Sequence, residues 1–277
     1  MRVDRHPDAA SFLAAAGGFL AEREALHNLP LAIAQHCVDD PTRYTRRNYF
    51  AVVEEGGRVT GLAMMTPPHR LQFYAPPGAA AAVAADLEEG GWAPPGVHGP
   101  EEASAAFAAL WSARRGLAGR LDRNLRAFEL TEVIPAPQVP GRLRVAVEAD
   151  LPLAERWYRA FHEDTRTTAS GLPPEEVARR TVRAGRHFLW EDGGPVSQAA
   201  ASGRTPNGAR VGSVYTPPDL RRRGYATALV AALSRSLLAD GRRFCFLFTD
   251  LANPVSNSIY PKIGYRPVAD FRDFDFG

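Results

Sequence analysis

The sequence predicts two α+β domains, each a mixed β-sheet flanked by helices. The chain has 277 residues, whereas single domains usually hold about 100–200. A proline-rich segment, residues 135–141, lies almost at the midpoint, and prolines there disfavour helix and central strand. On both sides of it, helical and period-two patterns follow one another in nearly the same order. We therefore expect an N-terminal domain over residues 1–134, a linker over 135–141 and a second domain over 142–277.

Composition excludes several classes of protein. Hydrophobic residues make up 45% and charged residues 23%, which excludes a mostly disordered chain. A net charge of +2 is too small to indicate a nucleic-acid partner. The two cysteines, Cys37 and Cys245, cannot form a disulfide scaffold, and the histidines show no metal-ligand spacing. No apolar run reaches the about 18–20 residues that span a membrane. We expect a soluble cytoplasmic protein, monomeric or homodimeric, without a metal, nucleic-acid or membrane partner.

In the first half, helical segments are expected from Asp8 to about Cys37. The other elements expected there are strands at 49–54, 58–65 and 71–74, helices at 79–87 and 101–114, and a long strand at about 125–133. The turn Glu55-Gly56-Gly57 joins the first two of these strands as a hairpin.

In the second half, residues 142–147 alternate apolar and polar side chains, which predicts a strand. The other elements expected there are helices at 150–161, from 173, at 222–240 and at 254–263, strands at 187–191, 196–202, 209–216 and 244–249, and one or two strands within 265–276. The turn Asp192-Gly193-Gly194 stands where Glu55-Gly56-Gly57 stands in the first half. This agreement indicates an internal duplication, with two unrelated halves as the alternative.

The strand at 209–216 ends at two prolines and leads through Arg221-Arg222-Arg223-Gly224 into a helix. A helix N-terminus presents about four unpaired N–H groups and a partial positive charge. Gly224 and the small Ala226 allow a ligand to approach the backbone closely. Three cations at this end conflict with the helix dipole unless an anion is bound. The segment predicts a pyrophosphate site, with a solvated surface patch as the alternative.

A second polar stretch follows the strand at 244–249. Asn253 and Pro254 are typical of an N-cap and a first helical residue. Asn253, Ser256, Asn257 and Tyr260 are spaced to share one helix face. A polar face on a short helix between two apolar strands is expected to line a cleft, although Asn253 can also serve as a cap alone.

These two stretches resemble the GNAT superfamily of acyl-CoA-dependent N-acyltransferases. Residues 221–226 fit the family's acetyl-CoA loop, Q/R-x-x-G-x-G/A, and residues 253–265 fit its N-x-x-(small)-x-x-(apolar)-Y-x-K-x-G-(aromatic) pattern. The resemblance covers residues 142–276 and implies a twisted, mostly antiparallel sheet in each domain. The first half is similar to a degenerate copy in tandem members of the family. Its residues 74–78, Tyr-Ala-Pro-Pro-Gly, lack the arginine and glycine cradle, so no CoA is expected there.

The resemblance implies acetyl-CoA as co-substrate and a small-molecule or peptide amine as acceptor. Tyr260 would protonate the departing CoA thiolate, a role that suits a phenol protonated at neutral pH. The resemblance also implies which residues bind CoA. The pantetheine arm would contact the backbone of Val214, Tyr215 and Thr216 and the side chains of Asn253 and Asn257. The pyrophosphate would bind the backbone N–H groups of Arg222, Arg223, Gly224, Tyr225, Ala226 and Thr227, and the 3′-phosphate would bind the side chains of Arg221, Arg222 and Arg223.

Two departures from the family pattern bear on catalysis. The strand at 209–216 has no carboxylate to deprotonate the amine, so Glu163, Asp164, Asp250 and a water chain stay open as bases. Pro261 removes a helical hydrogen bond, which leaves an earlier end of the helix, at Tyr260, as an alternative to the end at Ile263. The alternative function is a non-catalytic acyl-CoA-binding sensor or assembly module. Nucleic-acid binding has only the arginine content in its favour.

Overall fold

The structure is a computed structural model that describes residues 1–42, 44, 46–135, 138–165, 172–202 and 205–277. The predicted linker therefore lies partly outside the described residues, which omit 136 and 137. Within the described ranges the chain forms twelve strands and eight α-helices. The predicted fold class, α+β with a mixed and mostly antiparallel sheet, is confirmed.

The first half contains six strands and four helices. They are β1 (Arg2–Arg5), α1 (Ala9–Glu22), α2 (Asn28–Asp39), β2 (Tyr49–Glu55), β3 (Arg58–Met65), β4 (Leu71–Tyr74), α3 (Ala80–Glu89), β5 (Gly96–Pro100), α4 (Glu101–Arg115) and β6 (Gly119–Leu130). Asp8 caps α1, because its carboxylate accepts from the Ser11 backbone N–H at 2.8 Å. A short 3₁₀ helix, Pro77–Ala79, leads directly into α3.

The second half also contains six strands and four helices. They are β7 (Arg142–Val145), α5 (Leu151–Thr165), α6 (Pro174–Arg183), β8 (His187–Glu191), β9 (Pro195–Ser202), β10 (Gly208–Tyr215), α7 (Tyr225–Ala239), β11 (Phe244–Asp250), α8 (Pro254–Lys262) and β12 (Arg266–Phe276). The order of strands and helices is the same as in the first half. The repeated order that the sequence predicts is therefore present in the structure.

By contacts, the described chain divides into two compact units. Unit 1 comprises Met1–Ala127, Thr249–Ala252 and Val268–Gly277, and unit 2 comprises Phe128–Phe248 and Asn253–Pro267. The predicted domains, residues 1–134 and 142–277, are each continuous in sequence, and these boundaries stay a prediction. The two compact units are not continuous in sequence, because most of the C-terminal strand β12 packs in unit 1.

The sheet of unit 1 has the order β1-β2-β3-β4-β5-β12-β6. β5 and β12 are antiparallel, with Phe271 opposite Pro100 and Asp275 opposite Gly96. β5 is a strand that the sequence did not predict, because glycine is unusual within strands. Here glycine is needed, since a Cβ at Gly96 would lie 2.2 Å from the Phe274 carbonyl oxygen.

The core of unit 1 lies on both faces of this sheet. β2 is apolar and buried over its first five residues, the pattern of a strand covered on two sides. Phe107 and Trp111 of α4 are fully buried and stack on each other, and Phe107 packs on Phe73 of β4. The opposite face is covered by α1, whose Phe12 lies against Phe50.

A buried charge network holds β12 in unit 1. Asp273 accepts from His98 Nδ1 at 2.6 Å and pairs with Arg70 at 3.0 Å. Burial alone raises the pKa of Asp273, but His98, Arg70 and Arg123 outweigh it and lower that pKa below its ordinary value. Tyr74 Oη lies 3.1 Å from His98 Nε2. The C-terminal strand is therefore fixed in unit 1 by paired polar groups as well as by apolar contacts.

The sheet of unit 2 has the order β11-β10-β9-β8-β7. α7 covers one face with a stripe that includes the fully buried Leu229 and Leu233. α5 and α6 form a second cluster with the sheet, in which Tyr158 and Ala178 pack around Leu189. The described helices include none long and apolar enough to cross a membrane.

Candidate functional site

The site begins where β10 separates from β11. The two strands pair in parallel from Gly208 opposite Phe244 to Arg210 opposite Phe246, and the pairing ends there. The register of β10 with β9 shifts between Gly212 and Tyr215. Within this bulge Ser213 has a φ of 51°, which is uncommon for a residue other than glycine. Because a bulge bends and twists its strand, β10 diverges from β11 and the rest of its edge is available to an extended ligand.

The end of β10 carries the backbone groups that the sequence assigned to pantetheine, in Val214, Tyr215 and Thr216. The Tyr215 carbonyl accepts from Ser197 Oγ at 2.9 Å, and the Thr216 carbonyl accepts from Arg221 Nε at 2.9 Å. These bonds hold the end of the strand in a defined position.

A loop of four residues, Arg221–Gly224, separates the 3₁₀ helix at Pro218–Leu220 from α7. Arg222 and Gly224 have φ values of 64° and 85°. The predicted helix start at Arg222 is therefore wrong, since left-handed residues cannot begin an α-helix. α7 begins at Tyr225, and its N-cap Gly224 has no side chain with which to cap the first turn. The N–H groups of Tyr225, Ala226 and Thr227 are therefore orphan donors at the positive end of the helix dipole.

The corresponding place in the first half lacks this loop. There, β4 ends at Tyr74, and Pro76 and Pro77 follow as Pro217 and Pro218 follow β10. The 3₁₀ helix Pro77–Ala79 then continues directly into α3 at Ala80. The first half therefore has no counterpart of Arg221–Gly224 and no left-handed turn ahead of the helix.

α8 carries the second predicted stretch. Asn253 is its N-cap, with Oδ1 accepting from the Ser256 N–H at 3.1 Å, and the Asn257 amide donates to the Asn253 carbonyl at 2.8 Å. The helix continues through Pro261 to Lys262, close to the predicted end at Ile263, so the alternative end at Tyr260 is wrong. The Ile263 and Tyr265 N–H groups both donate to the Tyr260 carbonyl, and these bonds close the C-terminal turn of α8.

Tyr260 lies on the inner end of the predicted polar face. Its side chain is 8% exposed and packs near Phe128 and Tyr265, with ring centroids 6.4 and 5.8 Å away. Burial raises the pKa of Tyr260 to about 12. The phenol is therefore a proton donor at every physiological pH.

Comparisons with known proteins agree with this geometry. Residues 192–272 match the family model of FR47-like proteins. An acetyltransferase of the GNAT family from Colwellia psychrerythraea is 12% identical, with a TM-score of 0.59 and 100% of each chain covered. A GCN5-related N-acetyltransferase from Sphaerobacter thermophilus is 20% identical, with a TM-score of 0.63 and 99% of this chain and 95% of that chain covered. A tandem GNAT protein from the clavulanic acid biosynthesis pathway is 16% identical, with a TM-score of 0.55 and 100% and 98% covered. No curated protein matches the sequence.

The chain has the GNAT fold. The resemblance to the GNAT superfamily that the sequence indicates is confirmed, and so is its two-domain arrangement. The roles of individual residues stay predictions.

The three arginines of the loop Arg221–Gly224 differ in their surroundings. Arg221 binds Asp164 at the end of α5, and its guanidinium lies 5.7 Å from the Tyr215 ring centroid. Arg223 donates to the Asp219 carbonyl at 3.2 Å, and Arg222 is exposed. Arg221 is thus turned toward α5, which leaves Arg222 and Arg223 as the arginines nearer to the start of α7. Asp164, one of the predicted bases, is already paired with a cation.

Several residues of this region were missed by the sequence analysis. Ser197 binds the end of β10, and Asp192 accepts from the Tyr225 hydroxyl at 2.6 Å. His187 and Gln198 are fully buried, and the Gln198 side chain acts on the His187 ring through a hydrogen bond. Polar residues within otherwise apolar strands are a signal that could have identified the last two. The described residues contain no group of side chains that could hold a metal ion.

Acidification is expected to destabilise unit 2 through His187. Burial lowers the pKa of His187 from 6.5 to about 4, whereas the imidazole of the unfolded chain titrates near 6.5. The unfolded chain therefore binds an extra proton, and the unfolding free energy falls by up to about 1.4 kcal/mol per pH unit between these values. We expect His187→Gln to remove this slope in urea unfolding at pH 7, 6 and 5. His162→Gln serves as the control, and an unchanged slope in His187→Gln would refute the assignment.

Proposed function

We propose that the chain transfers an acetyl group from acetyl-CoA to an amine, with unit 2 as the catalytic part. The observation that carries the proposal is the open edge of β10 next to the left-handed loop Arg221–Gly224 at the start of α7. Such a combination suits a ligand with an amide-bearing arm and a pyrophosphate, because the strand offers backbone pairing and the helix offers N–H donors.

The residues fit the parts of acetyl-CoA in order along the site. The free edge of Val214, Tyr215 and Thr216 would pair with the pantetheine amides. The N–H groups from Arg222 to Thr227 would surround the pyrophosphate, with the exposed arginine side chains toward the 3′-phosphate. Asn253 and Asn257 on α8 would contact the pantetheine arm, although both already hold the helix start. When bound, acetyl-CoA supplies the thioester carbonyl that the amine attacks.

Tyr260 is proposed as the proton donor to the departing sulfur. Its raised pKa keeps the proton on the phenol until the sulfur gains negative charge. The base that deprotonates the amine is left to a water chain, Glu163 or Asp250, since β10 carries no carboxylate and Asp164 is held by Arg221.

Release of free thiol from acetyl-CoA across a panel of amines tests this function. The panel includes amino acids, polyamines, aminoglycosides and peptides with a free amine, and mass spectrometry identifies the acetylated product. We expect thiol release with at least one amine and an equal amount of acetylated product. Tight CoA binding in calorimetry without thiol release from any amine would instead support the non-catalytic sensor. Two features favour that alternative: Tyr260 is buried, and β10 has no carboxylate.

A further inference from the structure

The first turn of α7, on which the proposed pyrophosphate binding depends, begins without a side-chain cap. Its N-cap is Gly224, whose position offers no side-chain hydrogen bond to the N–H groups of the turn. Such N–H groups bind an anion well when they are held in a common direction. The direction of this turn must therefore be fixed from elsewhere in unit 2.

The side chain of Tyr225, the first residue of α7, joins this turn to a hairpin of the sheet. Tyr225 is buried, and its hydroxyl donates to a carboxylate oxygen of Asp192 at 2.6 Å. The bond to Asp192 raises the pKa of Tyr225, and a hydrogen bond from the Arg223 side chain, with a smaller effect, lowers it. The phenol oxygen therefore donates to Asp192 and accepts from Arg223, an arginine of the proposed phosphate site.

Asp192 belongs to the closed turn between β8 and β9. Its backbone N–H donates to the Gly194 carbonyl at 2.8 Å, and Gly193 has a φ of 66°. The two strands are paired from His187 opposite Ala200 to Glu191 opposite Pro195. Asp192 is thus fixed to the sheet of unit 2, and through Tyr225 it holds the start of α7 against the same sheet.

The corresponding helix of the first half cannot make this connection. α3 begins with Ala80, whose side chain is a buried methyl group without a polar atom. The turn that corresponds to the one at Asp192 is Glu55-Gly56-Gly57, which also carries a carboxylate. The tyrosine that reaches such a turn therefore occurs in the half that has the left-handed loop, which links the two features.

We propose that Asp192 and Tyr225 are positioning residues for CoA. The bond between the phenol and the carboxylate holds the N–H groups of Tyr225, Ala226 and Thr227 in one direction, toward the pyrophosphate, and keeps Arg223 beside them. Neither the Asp192 carboxylate nor the Tyr225 phenol needs to touch the ligand. This role rests on the proposed binding of acetyl-CoA, and all of its residues belong to unit 2.

Calorimetric titration of the full chain with CoA tests this role in a double-mutant cycle. We expect Tyr225→Phe and Asp192→Ala each to weaken CoA binding about tenfold, and the double variant to bind no more weakly than either single variant. Asp192→Asn keeps an acceptor oxygen for the phenol, so it should bind CoA within about threefold of the parent. Tyr265→Phe is the matched control, because it removes another buried hydroxyl of unit 2, 2.9 Å from Ser234 Oγ, and should leave CoA binding unchanged.

Hydrogen exchange of the free protein gives a second readout that needs no ligand. The Ala228 N–H donates to the Gly224 carbonyl at 3.0 Å and reports on the first turn of α7. We expect it to exchange faster in Tyr225→Phe and Asp192→Ala, and at the parental rate in Asp192→Asn. A merely structural role would instead raise exchange throughout the strands of unit 2.

The outcomes separate this role from the proposed acetyl transfer. Parental CoA affinity in Tyr225→Phe and Asp192→Ala, additive losses in the double variant, or faster exchange throughout unit 2 would overturn the positioning role. Absence of CoA binding by the parent would overturn it together with the CoA site. A chain that binds CoA with the expected losses, yet releases no thiol with any amine, would contradict acetyl transfer and support the positioning role.

Discussion

Replacing Tyr260 by phenylalanine is expected to lower kcat for amine acetylation by about 10²–10⁴-fold, the usual contribution of a positioned general acid. The substitution removes one oxygen from a buried side chain and keeps its packing near Phe128 and Tyr265. KM for acetyl-CoA should change little, since the phenol acts when the sulfur leaves. Steady-state thiol release with the best amine of the panel measures both constants.

The matched control is Tyr265→Phe. Tyr265 is also a buried tyrosine of this cluster, but its hydroxyl lies 2.9 Å from Ser234 Oγ. We expect this variant to lose stability and to keep kcat within a few-fold of the parent. Because the pKa of Tyr260 is about 12, kcat of the parent should show no loss from phenol ionisation below about pH 11. A Tyr260→Phe enzyme with parental kcat would exclude Tyr260 as the acid.

Replacing Gly224 by alanine is expected to weaken acetyl-CoA binding by about tenfold. Gly224 has a φ of 85°, and a left-handed residue with a side chain costs roughly 1–2 kcal/mol. The added Cβ would also lie 2.9 Å from Val139 Cγ1. The loop relieves this strain by moving, and the orphan N–H groups of Tyr225 and Ala226 then lose their common direction. Titration calorimetry with CoA measures the change.

Gly78→Ala is the control for this substitution. Gly78 stands in the corresponding segment of the first half, and a Cβ there would meet only Met1 Cε at 3.7 Å, an ordinary contact. We expect Gly78→Ala to bind CoA as the parent does. If Gly224→Ala bound CoA with unchanged affinity, the loop before α7 would not be the pyrophosphate site.

Much of the fold follows from local patterns. Helix α7 and the hairpins at Gly56 and Gly193 were predicted because an apolar stripe and two glycine turns are local signals. β5 was missed because its glycines are required by the close approach of neighbouring strands. Which strands are neighbours cannot be predicted from the local sequence. The membership of β12 in unit 1 was also not predictable from order, since it depends on Arg70, His98 and their pairing with Asp273.

The candidate site also has features that the sequence predicted and features that it did not. The loop sequence at Arg221–Gly224 predicted an anion site, and the structure adds left-handed residues and an uncapped helix start. The direction of each arginine could not be predicted, because the ion pair of Arg221 with Asp164 joins residues 57 positions apart. The bulge at Ser213, which opens the edge of β10, has no signal in the sequence that we recognise.

The stoichiometry of CoA binding tests the central claim most directly. Among the described residues, the four-residue loop with left-handed backbone precedes α7 in the second half and has no counterpart ahead of α3 in the first half. Calorimetric titration of the full chain with CoA should therefore give one site per chain, weakened in Gly224→Ala and retained in Gly78→Ala. Two sites per chain, or no binding at all, would contradict the account.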